Sequence, residues 1–157
     1  MLKKVLFISS SGGHLSELLQ LESLFPCYES YLATEKDSST EKMIHTNIEH
    51  IFYFYQARRG NLFAFIMKNL ANFFISLYVF AKIRPEVVVS TGANTAVFMC
   101  YIAKFFRKRI LYIETFALSK KKTLSGKFIY PIADVFYVQS EEMIKLYPKA
   151  IYKGALY

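Results

Sequence analysis

Short apolar runs alternate with longer helical stretches along this chain. The runs that begin near residues 5, 87, 110 and 135 are almost continuously apolar, which is typical of strands buried on both faces of a parallel sheet. Strands are predicted at Val5–Ser9, Tyr31–Ala33, Ile51–Tyr55, Val87–Ser90, Ile110–Ile113 and Val135–Val138. Helices are predicted between them, near residues 14–25, 38–46, 61–83, 95–106, 124–131 and 141–147. Because alternating strands and helices imply right-handed crossovers, the pattern predicts one α/β domain over residues 1–157, with a doubly wound, Rossmann-like parallel sheet.

The predicted helix 61–83 carries apolar residues around most of its circumference. Lys68, Asn69, Asn72 and Ser76 form one narrow polar stripe, whereas an ordinary covering helix needs an apolar stripe of only about 100°. The surplus apolar surface predicts contact with lipid, with a partner or with more of the protein. The helix is about 34 Å long, which suffices to span a bilayer, but the lysine and the asparagines make a passage through hydrocarbon costly.

We therefore expect this helix to lie on the cytoplasmic leaflet of the plasma membrane, or to dip into it, as in a peripheral or monotopic protein. A deeply buried core helix is the alternative. Basic residues at both ends of the helix suit anionic headgroups. The residues predicted to face the membrane are Arg58, Arg59, Phe63, Phe65, Ile66, Phe73 and Phe74.

Composition supports the same class of partner. Apolar residues make up 54% of the chain and aromatic residues 17%, and the formal charge is +8. A basic and apolar chain suits an anionic phospholipid surface better than nucleic acid, although basic residues also serve solubility alone. Cys27 and Cys100 lack metal-ligand spacing, so no metal site is predicted and buried thiols in a reducing cytosol are expected. The first apolar run is too short for a signal-peptide core.

The loop after the first predicted strand reads Ser-Ser-Gly-Gly-His from residue 10 to residue 14. Gly12 and Gly13 let the backbone approach a ligand closely, and the helix that follows presents unpaired N–H groups, which suit phosphate. With Ser11 they predict a diphosphate site; a tight turn with a serine cap is the alternative. His14 is a candidate general base for a sugar hydroxyl, or else a capping or phosphate-contacting residue.

Two further strand ends carry polar residues. Thr91, Gly92 and Asn94 follow the strand near residue 87 and open the next helix, which repeats the arrangement that favours an anion. Because the carboxyl ends of neighbouring parallel strands converge, we expect both loops to hold one diphosphate. Glu114 follows the strand at 110–113 and is a candidate base or ligand of sugar hydroxyls, or else a loop cap. The lysine-rich segment 119–127 suits lipid phosphates or is simply a solvated loop.

The same residues carry a family resemblance that spans nearly the whole chain in order. The matching segments are Ser11–His14, Val87–Ala93, Tyr112–Ala117, Leu124–Lys127, Tyr130–Asp134, Val138–Gln139, Tyr147–Ala150 and Gly154. In them the chain resembles the acceptor-binding, membrane-attached subunit of the two-part N-acetylglucosaminyltransferase that makes the second sugar of dolichol-linked oligosaccharides. It also resembles that subunit's bacterial relatives in capsule and exopolysaccharide synthesis.

The resemblance implies the N-terminal half of a GT-B glycosyltransferase. A separate partner subunit, equivalent to the C-terminal half, is then expected to bind the nucleotide sugar, and the acceptor is expected to be a polyprenyl-diphosphate-linked sugar. The family implies inverting transfer without a required metal or other cofactor. It places Gly12, Gly13 and His14 near the acceptor diphosphate, with His14 at the position of the candidate base and Glu114 at an acidic position of the central loop. We expect the chain to be inactive without its partner.

Two other functions remain open from the sequence. A dinucleotide-binding oxidoreductase is one, because Glu35 follows the second strand at the spacing of a ribose-binding acid; the loop, however, is not G-x-G-x-x-G. The other is a non-catalytic docking or enhancer subunit, with all the chemistry on the partner.

Overall fold

The computed structural model describes residues 2–57, 60–118 and 120–156. These residues form a seven-stranded, entirely parallel sheet with the order β3-β2-β1-β4-β5-β6-β7. The order 3-2-1-4-5-6 is that of a doubly wound Rossmann fold, so the predicted fold class is confirmed. The strands are β1 Lys4–Ser9, β2 Glu29–Glu35, β3 His50–Phe54, β4 Val87–Gly92, β5 Arg109–Ile113, β6 Val135–Val138 and β7 Ile151–Tyr152.

In the described residues, four α-helices and three 3-10 helices connect the strands. The α-helices are α1 Gly13–Leu19, α2 Leu62–Ile83, α3 Asn94–Phe105 and α4 Leu124–Ile129, and the 3-10 helices are Glu22–Cys27, Phe116–Leu118 and Glu141–Lys145. The helix predicted near 14–25 is thus two shorter elements. The helix predicted at 38–46 is wrong: these residues form turns. The Asp37 carboxylate accepts hydrogen bonds from the backbone N–H groups of Ser39 and Thr40, the local bonding by which Asp competes with helix formation.

The apolar residues of the strands alternate between two cores, one on each face of the sheet. Leu6 and Val88 belong to the larger core beneath α2, α3 and α4. Val5 and Val89 belong to the smaller core, together with Phe25. Because successive side chains of a strand point to opposite faces, runs that are apolar at every position supply both cores at once.

Candidate functional site

The strand order reverses between β1 and β4, and the candidate site lies at the carboxyl ends of these two strands. Ser9 at the end of β1 pairs with Gly92 at the end of β4, after a register shift. The loops that open α1 and α3 therefore lie side by side, at the switch point where open α/β sheets bind ligands. Gly12 has φ +78° and Gly92 has φ +117°, which are conformations that glycine adopts without strain.

His14 joins the two loops through a reciprocal pair of hydrogen bonds. Its Nδ1 lies 3.0 Å from the Thr91 carbonyl oxygen, and the Thr91 hydroxyl donates to the His14 carbonyl oxygen at 2.6 Å. With the ring proton on Nδ1, the Thr91 carbonyl is satisfied and the Nε2 lone pair is left as an acceptor. The side chain is 31% exposed. The imidazole is thus fixed in orientation yet accessible, as a general base must be.

Glu17 is a site residue that the sequence analysis missed. It lies one turn after His14 on α1 and is only 4% exposed. Its Oε1 accepts hydrogen bonds from the Thr115 hydroxyl at 2.9 Å and from the Phe116 backbone N–H at 3.0 Å. Its Oε2 lies 3.9 Å from Nδ1 of His14. The signal in the sequence was the spacing of three residues on a helix, which places both side chains on one face.

Glu114 is enclosed by other side chains, and its predicted catalytic role stays a prediction. It is 1% exposed. Its Oε2 accepts from the Tyr147 hydroxyl at 2.7 Å and its Oε1 from the Thr123 hydroxyl at 2.8 Å. Thr123 in turn caps α4 by accepting from the Gly126 N–H. The carboxylate thus anchors the start of α4.

Burial and the Glu114 carboxylate together raise the pKa of Tyr147 far above its ordinary value. Burial raises the pKa of its neighbour Tyr112 in the same way. Both hydroxyls therefore stay protonated near neutral pH, and Tyr147 acts as a permanent donor to Glu114. This side of the switch point is a buried polar support and not a reactive surface.

The remaining predicted diphosphate-binding residues lie around the same edge. Ser11 accepts from the Gln56 amide at 3.0 Å, and that amide also donates to Asp37 at 3.1 Å. Hydrogen bonds from Ser39 and Ser11 lower the pKa of Asp37 far below its usual range, so its carboxylate is ionised. Asn94, the first residue of α3, donates to Asn69 of α2. Gly13 is exposed at the start of α1.

Glu35, the acid of the oxidoreductase alternative, lies beside this edge. Its carboxylate accepts a hydrogen bond from the Thr95 hydroxyl in the first turn of α3, at 2.9 Å. Across the described residues 2–57, 60–118 and 120–156, no group of three or more His, Cys, Asp or Glu side chains is arranged to hold a metal ion.

Helix α2 turns its polar stripe towards the protein and its apolar residues outwards. Asn72 is 1% exposed and holds the Tyr55 backbone, accepting from its N–H and donating to its C=O, both at 2.9 Å. Lys68 donates to the Gln56 carbonyl at 3.2 Å, and Ser76 is fully buried. The exposed side of the helix carries Leu62, Phe63, Ile66, Met67, Leu70, Phe74, Leu77 and Tyr78.

Among the predicted membrane-facing residues, Phe63, Ile66 and Phe74 are exposed. Phe65 and Phe73 are half-buried, and Phe73 packs edge-on against Phe98 of α3. Arg58 and Arg59 lie outside the described residues. Within the described chain, α2 is the one helix that is long and apolar enough to cross a membrane by length and composition, with 17% of its most apolar segment buried.

A groove of about 550 Å³ lies on the face of the sheet opposite α2. Its floor is formed by apolar side chains of β1, β4 and β5, and its walls by the 3-10 helix region at residues 21–28 and the segment 153–156. Lys3, Arg109 and Lys153 line its rim. This part of the sheet is thus apolar but only partly covered.

Comparison with known proteins identifies the family. The sequence matches the family described as "Oligosaccharide biosynthesis protein Alg14 like" over residues 5–156. It is 27% identical to the UDP-N-acetylglucosamine transferase subunit ALG14 of Rattus norvegicus over 177 residues, covering 97% of this chain and 82% of the relative. The corresponding subunit of Yarrowia lipolytica is 25% identical, over 98% of this chain and 81% of the relative.

Solved structures share the fold. MurG of Acinetobacter baumannii superimposes with a TM-score of 0.69 and 18% identity, covering 87% of this chain and 41% of that one. UDP-N-acetylglucosamine 2-epimerase of Rickettsia bellii gives 0.70 and 14% identity, covering 99% and 46%. The chain therefore spans less than half the length of these two proteins, and its sheet is equivalent to the N-terminal half of a GT-B fold.

Proposed function

We propose, since this chain belongs to the Alg14-like family of oligosaccharide biosynthesis proteins, that it is the acceptor-binding, membrane-recruiting subunit of a split GT-B glycosyltransferase. Its partner binds the nucleotide sugar. The pair transfers a hexose unit from this donor to a polyprenyl-diphosphate-linked sugar at the cytoplasmic face of the plasma membrane. The named relatives are subunits of a UDP-N-acetylglucosamine transferase, which supports UDP-N-acetylglucosamine as the donor. Capsular polysaccharide or exopolysaccharide as the product stays a prediction.

The observation that carries the proposal is the His14–Thr91 pair at the switch point. It fixes a half-exposed imidazole between two glycine turns. In the reaction, the acceptor hydroxyl attacks the anomeric carbon of the donor, Nε2 of His14 takes the hydroxyl proton, and the nucleoside diphosphate leaves with the electrons of the broken C–O bond. The backbone around Gly12, Gly92 and Asn94 is proposed to hold the acceptor diphosphate, with α3 contributing its positive N-terminal end.

The outward apolar side of α2 supports membrane recruitment. Phe63 is 74% exposed and Phe74 59% exposed, although full burial of such a side chain gains roughly 1.5–3 kcal/mol. A contiguous apolar surface of this kind marks an interaction site on a folded domain. An anionic membrane surface suits it because the chain carries a formal charge of +8.

The groove on the opposite face of the sheet supports a partner subunit. Parallel sheets occur almost only with both faces covered, and here Val5, Val89 and Leu111 line an open groove. We assign this groove to the subunit that binds the nucleotide sugar. Membrane and partner would then contact opposite faces of one sheet.

A transfer assay tests the proposal. Vesicles that carry a polyprenyl-diphosphate-linked acceptor are given UDP-N-acetylglucosamine and this chain, its candidate partner, or both. Transfer only with both chains supports the split enzyme, and full activity of this chain alone would contradict it. In the pair, His14→Ala is expected to lower kcat by roughly 10²–10⁴-fold. His50→Ala is the matched control, because His50 lies at the opposite, amino edge of the sheet.

A docking subunit without catalytic residues is the second candidate. It is favoured by the burial of Glu114, because the Tyr147 hydroxyl already occupies one oxygen of this predicted catalytic carboxylate. This candidate predicts an unchanged kcat for His14→Ala at saturating acceptor, together with a loss of transfer when the exposed side of α2 is made polar.

A further inference from the structure

We propose that Glu17 is the positioning residue of His14: its carboxylate holds the Nδ1 proton of the imidazole and stabilises the positive charge that forms when Nε2 takes a proton. The inference rests on the proposed function, because it requires His14 to act as the base. It adds a buried residue whose carboxylate lies 3.9 Å from Nδ1 of His14.

Glu17 is held rigidly by groups on a different strand end. The Thr115 hydroxyl and the Phe116 N–H, which follow β5, both donate to Oε1. The orientation of the carboxylate is therefore set by the segment after β5, while His14 and Glu17 share α1. This fixes where the second oxygen, Oε2, is placed.

Oε2 of Glu17 has no hydrogen-bond donor within the described part of the chain, although it is buried. Buried polar atoms are nearly always paired, so such an atom calls for an explanation. The oxygen lies 3.9 Å from Nδ1 of His14, about 1 Å beyond an ordinary N–H···O hydrogen bond. Catalytic hydrogen bonds are often long in the free enzyme and shorten in the reactive complex. A small rotation of the ring would let Nδ1–H serve both Oε2 and the Thr91 carbonyl.

Among the described residues, Glu17 is the acidic side chain that forms an ion pair with His14. From β4 the ring meets the Thr91 carbonyl and the Gly92 backbone, neither of which titrates. From β5 the Tyr112 hydroxyl lies near Gly92, and burial raises its pKa well above 10.0. Because opposite charges attract at about 4–6 Å, the Glu17 carboxylate is placed to stabilise the imidazolium that forms during the transfer.

Glu17→Gln in the reconstituted pair tests the inference. Glutamine keeps an oxygen that accepts from Thr115 and Phe116 but loses the charge. We expect kcat to fall roughly 10–100-fold, the usual loss when an orienting partner is removed, with KM for the acceptor little changed. Glu49→Gln is the matched control, since it makes the same exchange at an exposed residue just before β3, at the amino edge of the sheet.

The double variant H14A/E17Q distinguishes positioning from a purely structural role. If Glu17 acts through His14, the second substitution lowers kcat no further in the H14A background. Multiplicative losses of kcat in the double variant would overturn the inference while leaving His14 as the base. An unchanged kcat in H14A alone would instead overturn the proposed function. Circular dichroism of each variant confirms that it is folded.

Discussion

Gly92→Ala is a sharp test of how the switch point holds His14. Gly92 has φ +117°, and a Cβ placed there would lie 3.1 Å from the Tyr112 hydroxyl and 3.2 Å from Nδ1 of His14. Backbone strain of this kind costs about 1–3 kcal/mol. A domain of this size loses roughly 2–4 °C of Tm per kcal/mol, so a fall of about 2–12 °C is expected. The imidazole must also shift by a few tenths of an ångström.

Gly154→Ala is the control for backbone strain alone. Gly154 has φ +97° and no heavy atom within 4 Å of the added Cβ. Both variants should melt earlier, but only G92A should perturb the NMR signals of the His14 ring and lower kcat, roughly 10-fold, at saturating partner. If G92A and G154A gave the same ring signals and the same kcat, the close packing of Gly92 against His14 would not matter for the reaction, and the reasoning would fail.

Two further predictions concern α2 and Glu114. The double variant Phe63→Ser, Phe74→Ser is expected to bind anionic vesicles about 10²-fold more weakly in a sedimentation assay, since each ring contributes about 1–2 kcal/mol when partly inserted. Ile44 is 91% exposed and remote from α2, so Ile44→Ser should leave binding unchanged. Equal effects of the two changes would exclude α2 as the membrane surface. Glu114→Gln is expected to lower Tm by several degrees through the weakened bonds to Thr123 and Tyr147, while kcat stays within a few-fold below the melting range. A large loss of kcat in a stable E114Q would support Glu114 as a catalytic residue.

Local patterns were enough to predict the sheet. Strands such as β1 and β4 supply both cores, so their apolar runs are continuous and easily recognised. The two-residue strand Ile151–Tyr152 has no such pattern, because both residues are exposed at the sheet edge. The helix predicted at 38–46 shows where local patterns fail. Asp37 accepts hydrogen bonds from Ser39 and Thr40, and this loop geometry leaves no trace in the pattern of apolar and polar residues.

The roles of the two acidic residues depend on tertiary contacts and were not predictable from strand ends. Glu114 follows β5 as a catalytic carboxylate would, but Tyr147, 33 residues later, encloses it. In the sequence, Glu17 looks like an ordinary helical residue. Its burial depends on contacts with the segment after β5, where the Thr115 hydroxyl donates to it. The place of the loop glycines and His14 at the switch point follows from their position after a buried strand, while their roles stay predictions.

The packing of α2 favours one of the membrane orientations that the sequence left open. Its polar stripe is bonded to the segment after β3 through Lys68 and Asn72, and Phe80 and Ile83 near its end belong to the larger core. The helix is therefore attached along its length to one face of the domain, and it cannot cross hydrocarbon unless the domain follows. A helix that is attached on one side and apolar on the other fits an orientation parallel to the membrane. Because Asn69, two turns into α2, lies beside Asn94, a lipid diphosphate could then reach the loops while its chain stayed in the bilayer.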